Sequence, residues 1–254
     1  MKLHGVINAS PDSLADFSIA TTVEEAVTRA ETLIRNGCVG IDLGAAGSTQ
    51  YADRVDTEKE WDRLDGKIQA LSGMGIELSI DTWNPEIMQR ALNAGANFMN
   101  ASDGLQNPVM VELAADSGVP VILPFLNGDD PKSLELVTGD PLTAIIVWFE
   151  DALAKIEQAG VKRNQVILDP GTGFGPANWL WEDRYKFQET IYSNLEKLRI
   201  FKLPIYIALP WKMEDGRRDL LNILLKVGFD YGRTHVPEQV FEAKAQILRD
   251  ETIE

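Results

Sequence analysis

Apolar and polar positions follow two different periods along this chain. Eight short, nearly continuous apolar runs stand out: Leu3–Asn8, Val39–Leu43, Glu77–Asp81, Phe98–Asn100, Pro120–Pro124, Gln165–Asp169, Pro204–Leu209 and Asp230–Thr234. Such runs suit parallel strands buried on both faces. Between them lie longer stretches of helical spacing. Val23–Asn36 sets Val23, Ala26, Val27, Ala30, Leu33 and Ile34 on one face, with Gly37 as the stop. The spacing predicts a helix over Thr57–Ser72, with Thr57 as N-cap and Glu60 three residues on as the other half of a capping box. Asn84-Pro85 opens a helix to Ala94 that Gly95 closes; Val109–Ser117 ends at Gly118 and Leu142–Ala159 at Gly160. Arg184–Arg199, Arg217–Val227 and Pro237–Asp250 complete the set.

Eight β-α units in alternation imply a parallel sheet covered by helices. In 254 residues they fit a single (β/α)₈ TIM barrel, one domain over 1–254, better than the open doubly wound sheet that is the alternative. The charged Asp250–Glu254 segment is expected to fray.

In such a barrel the chemistry sits where strands end. The polar residues at predicted strand ends are Asn8, Asp42, Asp81, Asn100, Asp169, Lys212, Arg233 and His235. Each has a structural reading of its own: Asp81 as a cap for the following helix, Asn100 as a turn former, Lys212 and Arg233 as solvated charges. Their convergence on one rim favours a ligand. Two Asp and an Asn supply acceptors and an amide that suit a flat heterocycle with N–H donors and a carbonyl. Lys212, Arg233 and His235 are the basic part, suited to a phosphate or another leaving anion.

Charge sharpens this. The net charge of −15 repels nucleic acid and anionic membranes, so an anion site has to be locally basic. No apolar stretch has membrane-spanning length and Met1–Gly5 shows no signal-peptide pattern, which sets the expectation of a cytoplasmic protein. The one cysteine, Cys38, allows no internal disulfide and reads as a buried thiol. Two histidines, His4 and His235, exclude a His-rich metal site, and no nucleophile elbow is present. Gly171-Thr172-Gly173-Phe174-Gly175 matches no P-loop and reads as a tight turn. Trp179, Trp181 and Trp211 read as core packing, with Trp211, beside Lys212, the one placed to meet a ligand.

Several segments, in order, resemble the signatures of the dihydropteroate synthase family. Asn8-Ala9-Ser10-Pro11-Asp12-Ser13-Leu14-Ala15-Asp16 is similar to Asn-x-Thr-Pro-Asp-Ser-Phe-x-Asp. Ile41-Asp42-Leu43-Gly44 leading to Ser48-Thr49 is similar to Ile-Asp-x-Gly-Gly-Glu-Ser-Thr-Arg-Pro. Ser79-Ile80-Asp81-Thr82, Asn97–Asn100 and Arg233-Thr234-His235-Val236 resemble the motifs of strands 3, 4 and 8. Leu168-Asp169-Pro170-Gly171-Thr172-Gly173-Phe174-Gly175 closely matches Leu-Asp-Pro-Gly-x-Gly-Phe-Gly. The resemblance implies a homodimeric barrel that joins 6-hydroxymethyl-7,8-dihydropterin pyrophosphate to p-aminobenzoate with Mg²⁺. It implies that Asp81, Asn100, Asp169 and Lys212 hold the pterin. Asn8, Arg233 and His235 would bind the pyrophosphate, with Asn8 also near the metal. Thr49, Gln50 and Phe174 would belong to the second-substrate loops.

The departures cluster on the p-aminobenzoate side. Gln50 and Tyr51 stand where the family has Arg-Pro, an extra residue lies in Gly44–Gly47, Leu14 replaces Phe, and Pro176 replaces the lysine after Gly-Phe-Gly. Strand 7 ends Pro210-Trp211-Lys212-Met213 in place of Ser-Arg-Lys-Ser, and Pro124-Phe125 replaces the strand-5 His. Arg54 is a candidate substitute for the loop arginine. Two readings stay open. One is a divergent synthase. The other is a pterin-binding protein without synthase activity, either a methyltetrahydrofolate-type methyltransferase or a non-catalytic binder.

Overall fold

A computed structural model describes residues 1–11, 13, 15–47, 54–176 and 179–252 of the chain. Eight parallel strands form the sheet: β1 (Lys2–Asn8), β2 (Gly40–Gly44), β3 (Glu77–Thr82), β4 (Phe98–Ala101), β5 (Val121–Pro124), β6 (Val166–Asp169), β7 (Tyr206–Ala208) and β8 (Tyr231–Thr234). They pair in the order β6-β5-β4-β3-β2-β1-β8-β7. A parallel bridge between Leu168 and Ile205, and the 2.9 Å bond from Leu168 N to Pro204 O, join β6 to β7. The sheet is therefore a nearly closed barrel, and the doubly wound alternative falls.

Successive strand side chains point to opposite faces, so the barrel has two cores. Outward residues such as Ile7, Leu43, Ile80, Leu123, Leu168 and Ile207 pack under the helices. Each such fully buried side chain contributes roughly 1.5–3 kcal/mol. The inward core is separate and smaller: Phe98, Ile122, Ile167 and Tyr206, with Tyr231 against them. Below it Glu77 accepts from Lys2 Nζ at 2.7 Å and meets His4 Nε2 at 2.9 Å. The His4 ring packs edge-on against Phe98, Tyr206 and Tyr231. Aromatic rings and an ion pair thus close the N-terminal end of the barrel, and polar groups remain only toward the C-terminal end.

The covering helices begin where sequence signals place them. Thr22 and Glu25 form a reciprocal capping box on α1 (Val23–Arg35). Asn84, Asn107 and Asp140 cap α4 (Pro85–Asn93), α5 (Pro108–Ser117) and α6 (Pro141–Gln158), each with proline in the first turn. The predicted helix over Thr57–Ser72 is two helices, α2 (Thr57–Leu64) and α3 (Lys67–Ser72). Gly66, with φ of +73°, breaks it. Its cap is Asp56, whose carboxylate accepts from Lys59 N at 2.9 Å, so the Thr57 capping box does not form. The predicted Arg184–Arg199 helix starts earlier, as α7 (Trp181–Tyr192), and gives way to a 3₁₀ segment at Leu195–Phe201. Next come α8 (Arg217–Val227) and α9 (Pro237–Glu251). Helix α9 carries the backbone two residues, Asp250 and Glu251, into the segment expected to fray.

Glu60 ties α2 to the end of β3. Its carboxylate is 2% exposed and accepts from Thr82 Oγ1 at 2.7 Å. Burial pushes its pKa up from 4.5 to about 7, against the Thr82 bond and with the help of Asp81. A raised pKa means the folded state holds this proton more tightly than the unfolded chain. Its contribution to stability is present below about 4.5 and is lost as pH rises through about 7. Glu60→Gln keeps the acceptor and removes the titration. In urea unfolding the variant should gain on the natural protein between pH 5 and pH 8, by roughly 1–3 kcal/mol. An equal difference at both pH values would show that Glu60 titrates as an exposed carboxyl.

Candidate active site

A cavity of about 410 Å³ opens at the C-terminal ends of the strands. Its wall includes Asn8, Asp42, Asp81, Lys212, Arg233 and His235, from strand ends spread around the barrel. Their convergence follows from the register: Asn8 pairs with Gly44, Gly44 with Asp81, and Asp81 with Asn100. His4 pairs with Arg233, which places Arg233 well inside β8 and aims it into the barrel.

Arg233 is the centre of the arrangement. Its Nη1 donates to Asp81 Oδ2 at 2.9 Å and to Asp42 Oδ2 at 3.3 Å. Burial opposes its charge, but Asp81 and Asp42 outweigh burial and hold its pKa above the ordinary arginine value. Asp42 is the hub on the other side. It accepts from Ser79 Oγ at 2.7 Å and from Asn100 Nδ2, at 3.3 Å to each oxygen. Asp81 is raised by burial, with Arg233 pulling the other way.

Asn100 and Asp169 are buried beneath this group and are not on the cavity wall. Asp169 Oδ1 accepts from Gly171 N at 2.8 Å. Burial pushes its pKa up to about 6, against the attraction of Arg233. At neutral pH it is an anion in a polar floor. Gly171 has φ of +73°, and a Cβ there would sit 2.2 Å from Phe125 O, so the turn demands glycine.

His235 departs from its expected part in a basic cluster. Its pKa is pushed down to about 4, by burial first and then by Arg233 and Arg29. It is a neutral imidazole at neutral pH, and its buried Nδ1 has no hydrogen-bond partner. Its ring meets Trp211 and Phe17, with centroids 5.5 and 6.1 Å away. Asn8 donates from Nδ2 to Ser18 Oγ at 2.7 Å, which pins the 3₁₀ turn Asp16–Ser18 to the end of β1. Lys212 is exposed, with Nζ 5.0 Å from the Trp211 ring centre.

Phe174 is not brought to the main cavity. It lines a separate apolar void of about 30 Å³ with Phe125, Trp179 and Phe187. Thr49 and Gln50 lie outside the described residues, as do Asp12, Leu14, Ser48 and Tyr51. Arg54 pairs with Asp130 Oδ2 at 2.8 Å and is not on the cavity wall. The glycine segment is a turn, as read, with Phe174 N donating to Gly171 O at 3.0 Å. Gly173 nonetheless faces the cavity, where a Cβ would lie 2.8 Å from the Ala208 Cβ and 3.4 Å from Arg233 Nη2. Among the described residues, no group of three His, Cys, Asp or Glu side chains is placed to hold a metal ion, and no helix is long and apolar enough to cross a membrane. Cys38 is buried, and desolvation pushes its thiol up to about 12.

Wall residues that sequence reasoning missed are Trp181, Arg184, Gln188 and Arg217. Gln188 Nε2 and Arg184 Nη2 donate to Thr172 O and Gly173 O, at 2.8 and 3.1 Å, and so anchor the glycine turn. Trp181 packs against the core, as its bulk predicts, and also reaches the cavity wall, where it opens α7 with Arg217 stacked on its ring at 3.6 Å. For Arg217 a signal was available: it is the first residue of α8, where an arginine faces the positive end of the macrodipole.

Removing the central guanidinium strands two carboxylates. Arg233→Met should cost about 3–5 kcal/mol in urea unfolding at pH 8. The loss should shrink toward pH 5, because burial raises the pKa of Asp81 and its carboxyl takes up a proton. A loss below about 1 kcal/mol at pH 8 would mean the cluster does not carry the charge assigned to it.

The sequence matches the family model described as pterin binding enzyme over residues 4–212. Arg233 and His235 lie beyond that stretch. Dihydropteroate synthase of Escherichia coli K12 is 28% identical over 227 residues, covering 88% of this chain and 76% of the relative. A crystal structure of Yersinia pestis dihydropteroate synthase in a sulfonamide drug complex superposes with a TM-score of 0.86 at 25% identity, over 99% of this chain and 94% of the other. The Anaplasma phagocytophilum dihydropteroate synthase with bound 6-hydroxymethylpterin monophosphate gives 0.80 at 26% identity, over 98% and 99%. A barrel with an acid-and-amide floor, matched by this family model over most of its length, belongs to the pterin binding enzyme family.

Proposed function

We propose that this chain is a transferase of the dihydropteroate synthase type. It joins 6-hydroxymethyl-7,8-dihydropterin pyrophosphate to an arylamine of the p-aminobenzoate class and releases pyrophosphate. The observation that carries this reading is the floor of Asp81, Asn100 and Asp169 beneath one guanidinium. Carboxylates accept from the ring N–H and amino groups of a pterin edge, and the Asn100 amide both donates and accepts. Lys212 stands at the mouth as a further donor.

For the pterin edge to reach Asn100 and Asp169, Arg233 gives up Asp81 and Asp42. The substrate's pyrophosphate offers the guanidinium a replacement partner. Asp81 is then free to accept from the pterin. The exchange keeps Arg233 paired with an anion, while Asp81 keeps a hydrogen-bond donor in the pterin and Asp42 keeps Ser79. Among the described residues no cage of carboxylates is present, and Asn8, on the cavity wall, would hold a Mg²⁺ ion through its amide oxygen, as suits an ion that keeps several waters and takes its other ligands from phosphate. Such an ion would supply neutralising charge to the leaving pyrophosphate.

The bond between the pterin methylene and the pyrophosphate oxygen breaks as the amine nitrogen attacks, and the amine proton leaves to solvent. No protein nucleophile takes part. Arg233 stabilises the departing anion, and the barrel fixes the two reactants. Neutral His235 has its unpartnered Nδ1 near the anion, where it donates a hydrogen bond. We place the enzyme in the cytoplasm as a homodimer, on the strength of the family resemblance.

Titration of the protein with the pterin pyrophosphate and Mg²⁺ should show binding, and addition of an arylamine should release pyrophosphate. Binding of methyltetrahydrofolate in place of the pterin pyrophosphate would replace this reading with a methyltransferase. Asp169→Asn swaps an acceptor for an amide that cannot accept from two N–H groups. It should weaken pterin affinity by about 100-fold or more, the worth of two charge-assisted bonds. Unchanged affinity would remove Asp169 from the site.

A further inference from the structure

Four cations line the cavity: Arg184, Lys212, Arg217 and Arg233. Its two carboxylates, Asp42 and Asp81, both engage Arg233. Of the remaining three cations, Arg184 is on the helix after β6, and Lys212 and Arg217 follow β7. In a chain of net charge −15 this local excess has no structural need.

Arg184 is the most informative of them. It has no carboxylate partner among the described residues, and its Nη2 donates to Gly173 O. Its Nε is buried with no hydrogen-bond partner. Burial lowers its pKa, and Arg217 adds to that by repulsion. A guanidinium that is desolvated, without a carboxylate and within the field of a second one is stabilised by an anion that joins them. Arg217 has only Asp215 at 3.2 Å, whose side chain is 66% exposed, and its stacking on Trp181 fixes its plane.

The place of Arg217 in its own helix adds to this. It is the first residue of α8, which has no side-chain cap at Gly216, and its charge there works against the macrodipole, with Asp219 in the same turn opposing that effect. An anion seated between Arg184 and Arg217 would answer both guanidinium charges.

The pyrophosphate is already accounted for in the neighbouring sector, at Arg233 and Asn8. The departures from the family pattern, among them Gln50, Tyr51, Trp211 and Met213, fall on the second-substrate side. We infer that the arylamine taken by this site carries a doubly charged anionic tail, a phosphate or a pair of carboxylates, held between Arg184 and Arg217. This rests on the transferase reading above. A lone benzoate carboxylate satisfies one guanidinium fork and leaves the other unpaired.

The test measures pyrophosphate release by the intact protein with the pterin pyrophosphate, Mg²⁺ and one of three amines. These are p-aminobenzoate, 4-aminobenzylphosphonate and 4-aminobenzoyl-L-glutamate. At least one of the two doubly charged amines should exceed p-aminobenzoate about tenfold in kcat/KM, and which one does so tells phosphate from dicarboxylate. Arg184→Gln and Arg217→Gln should each lower that value roughly 10- to 100-fold, through the KM of the amine. Arg184→Lys should recover part of the loss. The KM of the pterin pyrophosphate should stay within about twofold, because its charged group pairs elsewhere. Three results overturn the inference: p-aminobenzoate as the best amine, arginine variants that leave every amine unchanged, or variants that raise the KM of the pterin pyrophosphate. The first and third leave the transferase reading standing. Failure of the natural protein to bind the pterin pyrophosphate would remove that reading and the inference with it.

Discussion

The barrel interior depends on one buried charge. Arg233 stands between two carboxylates, Asp42 and Asp81, and a third, Asp169, feels its field. Buried charges are tolerated only when paired and hydrogen-bonded. Ser79, Asn100 and the Gly171 amide complete the accounting of acceptor oxygens. Five strands, β2, β3, β4, β6 and β8, supply its members, so their register is tied to this group. A one-residue slip of any of them would turn its polar residue outward into the helical layer.

The same cluster explains why a cavity made of charged groups remains open in a protein that is strongly acidic. The negative charge is spread over the outer helices, and the cavity concentrates the opposite sign. Such a contrast draws anionic ligands inward over the last few ångströms, where screening by salt is weak. It also discriminates: a neutral amine gains nothing from Arg184 or Arg217, whereas a charged one does.

Much of this was legible in the sequence. The apolar runs placed all eight strands to within two residues at either end, because parallel barrel strands are buried on both faces and leave a continuous signal. Glycine and proline punctuation gave most helix ends. Misreadings have local causes. Gly66 interrupts an apolar stripe that periodicity alone runs straight through. Trp181 packs against the core, as its bulk suggests, but its second place on the cavity wall is a matter of position that a sequence does not display. Phe174 sits in a motif associated with the site, yet its ring packs into a neighbouring void. Asp42 was visible at a strand end, but its role needed the fold: its partner Arg233 lies 191 residues away. Arg184 was hidden among ordinary surface charges, and only burial sets it apart.

The closed floor has a consequence for traffic. His4, Glu77, Phe98, Tyr206 and Tyr231 fill the barrel from below, so the site is a sac with one opening. Two reactants of different depth cannot pass each other in it. The heterocycle, whose partners lie lowest, has to go in before the amine covers it. After the new bond forms, the joined molecule leaves tail first, and the empty floor is exposed only when all of it has gone. A stalled amine would therefore act as a cork, trapping whatever sits beneath it.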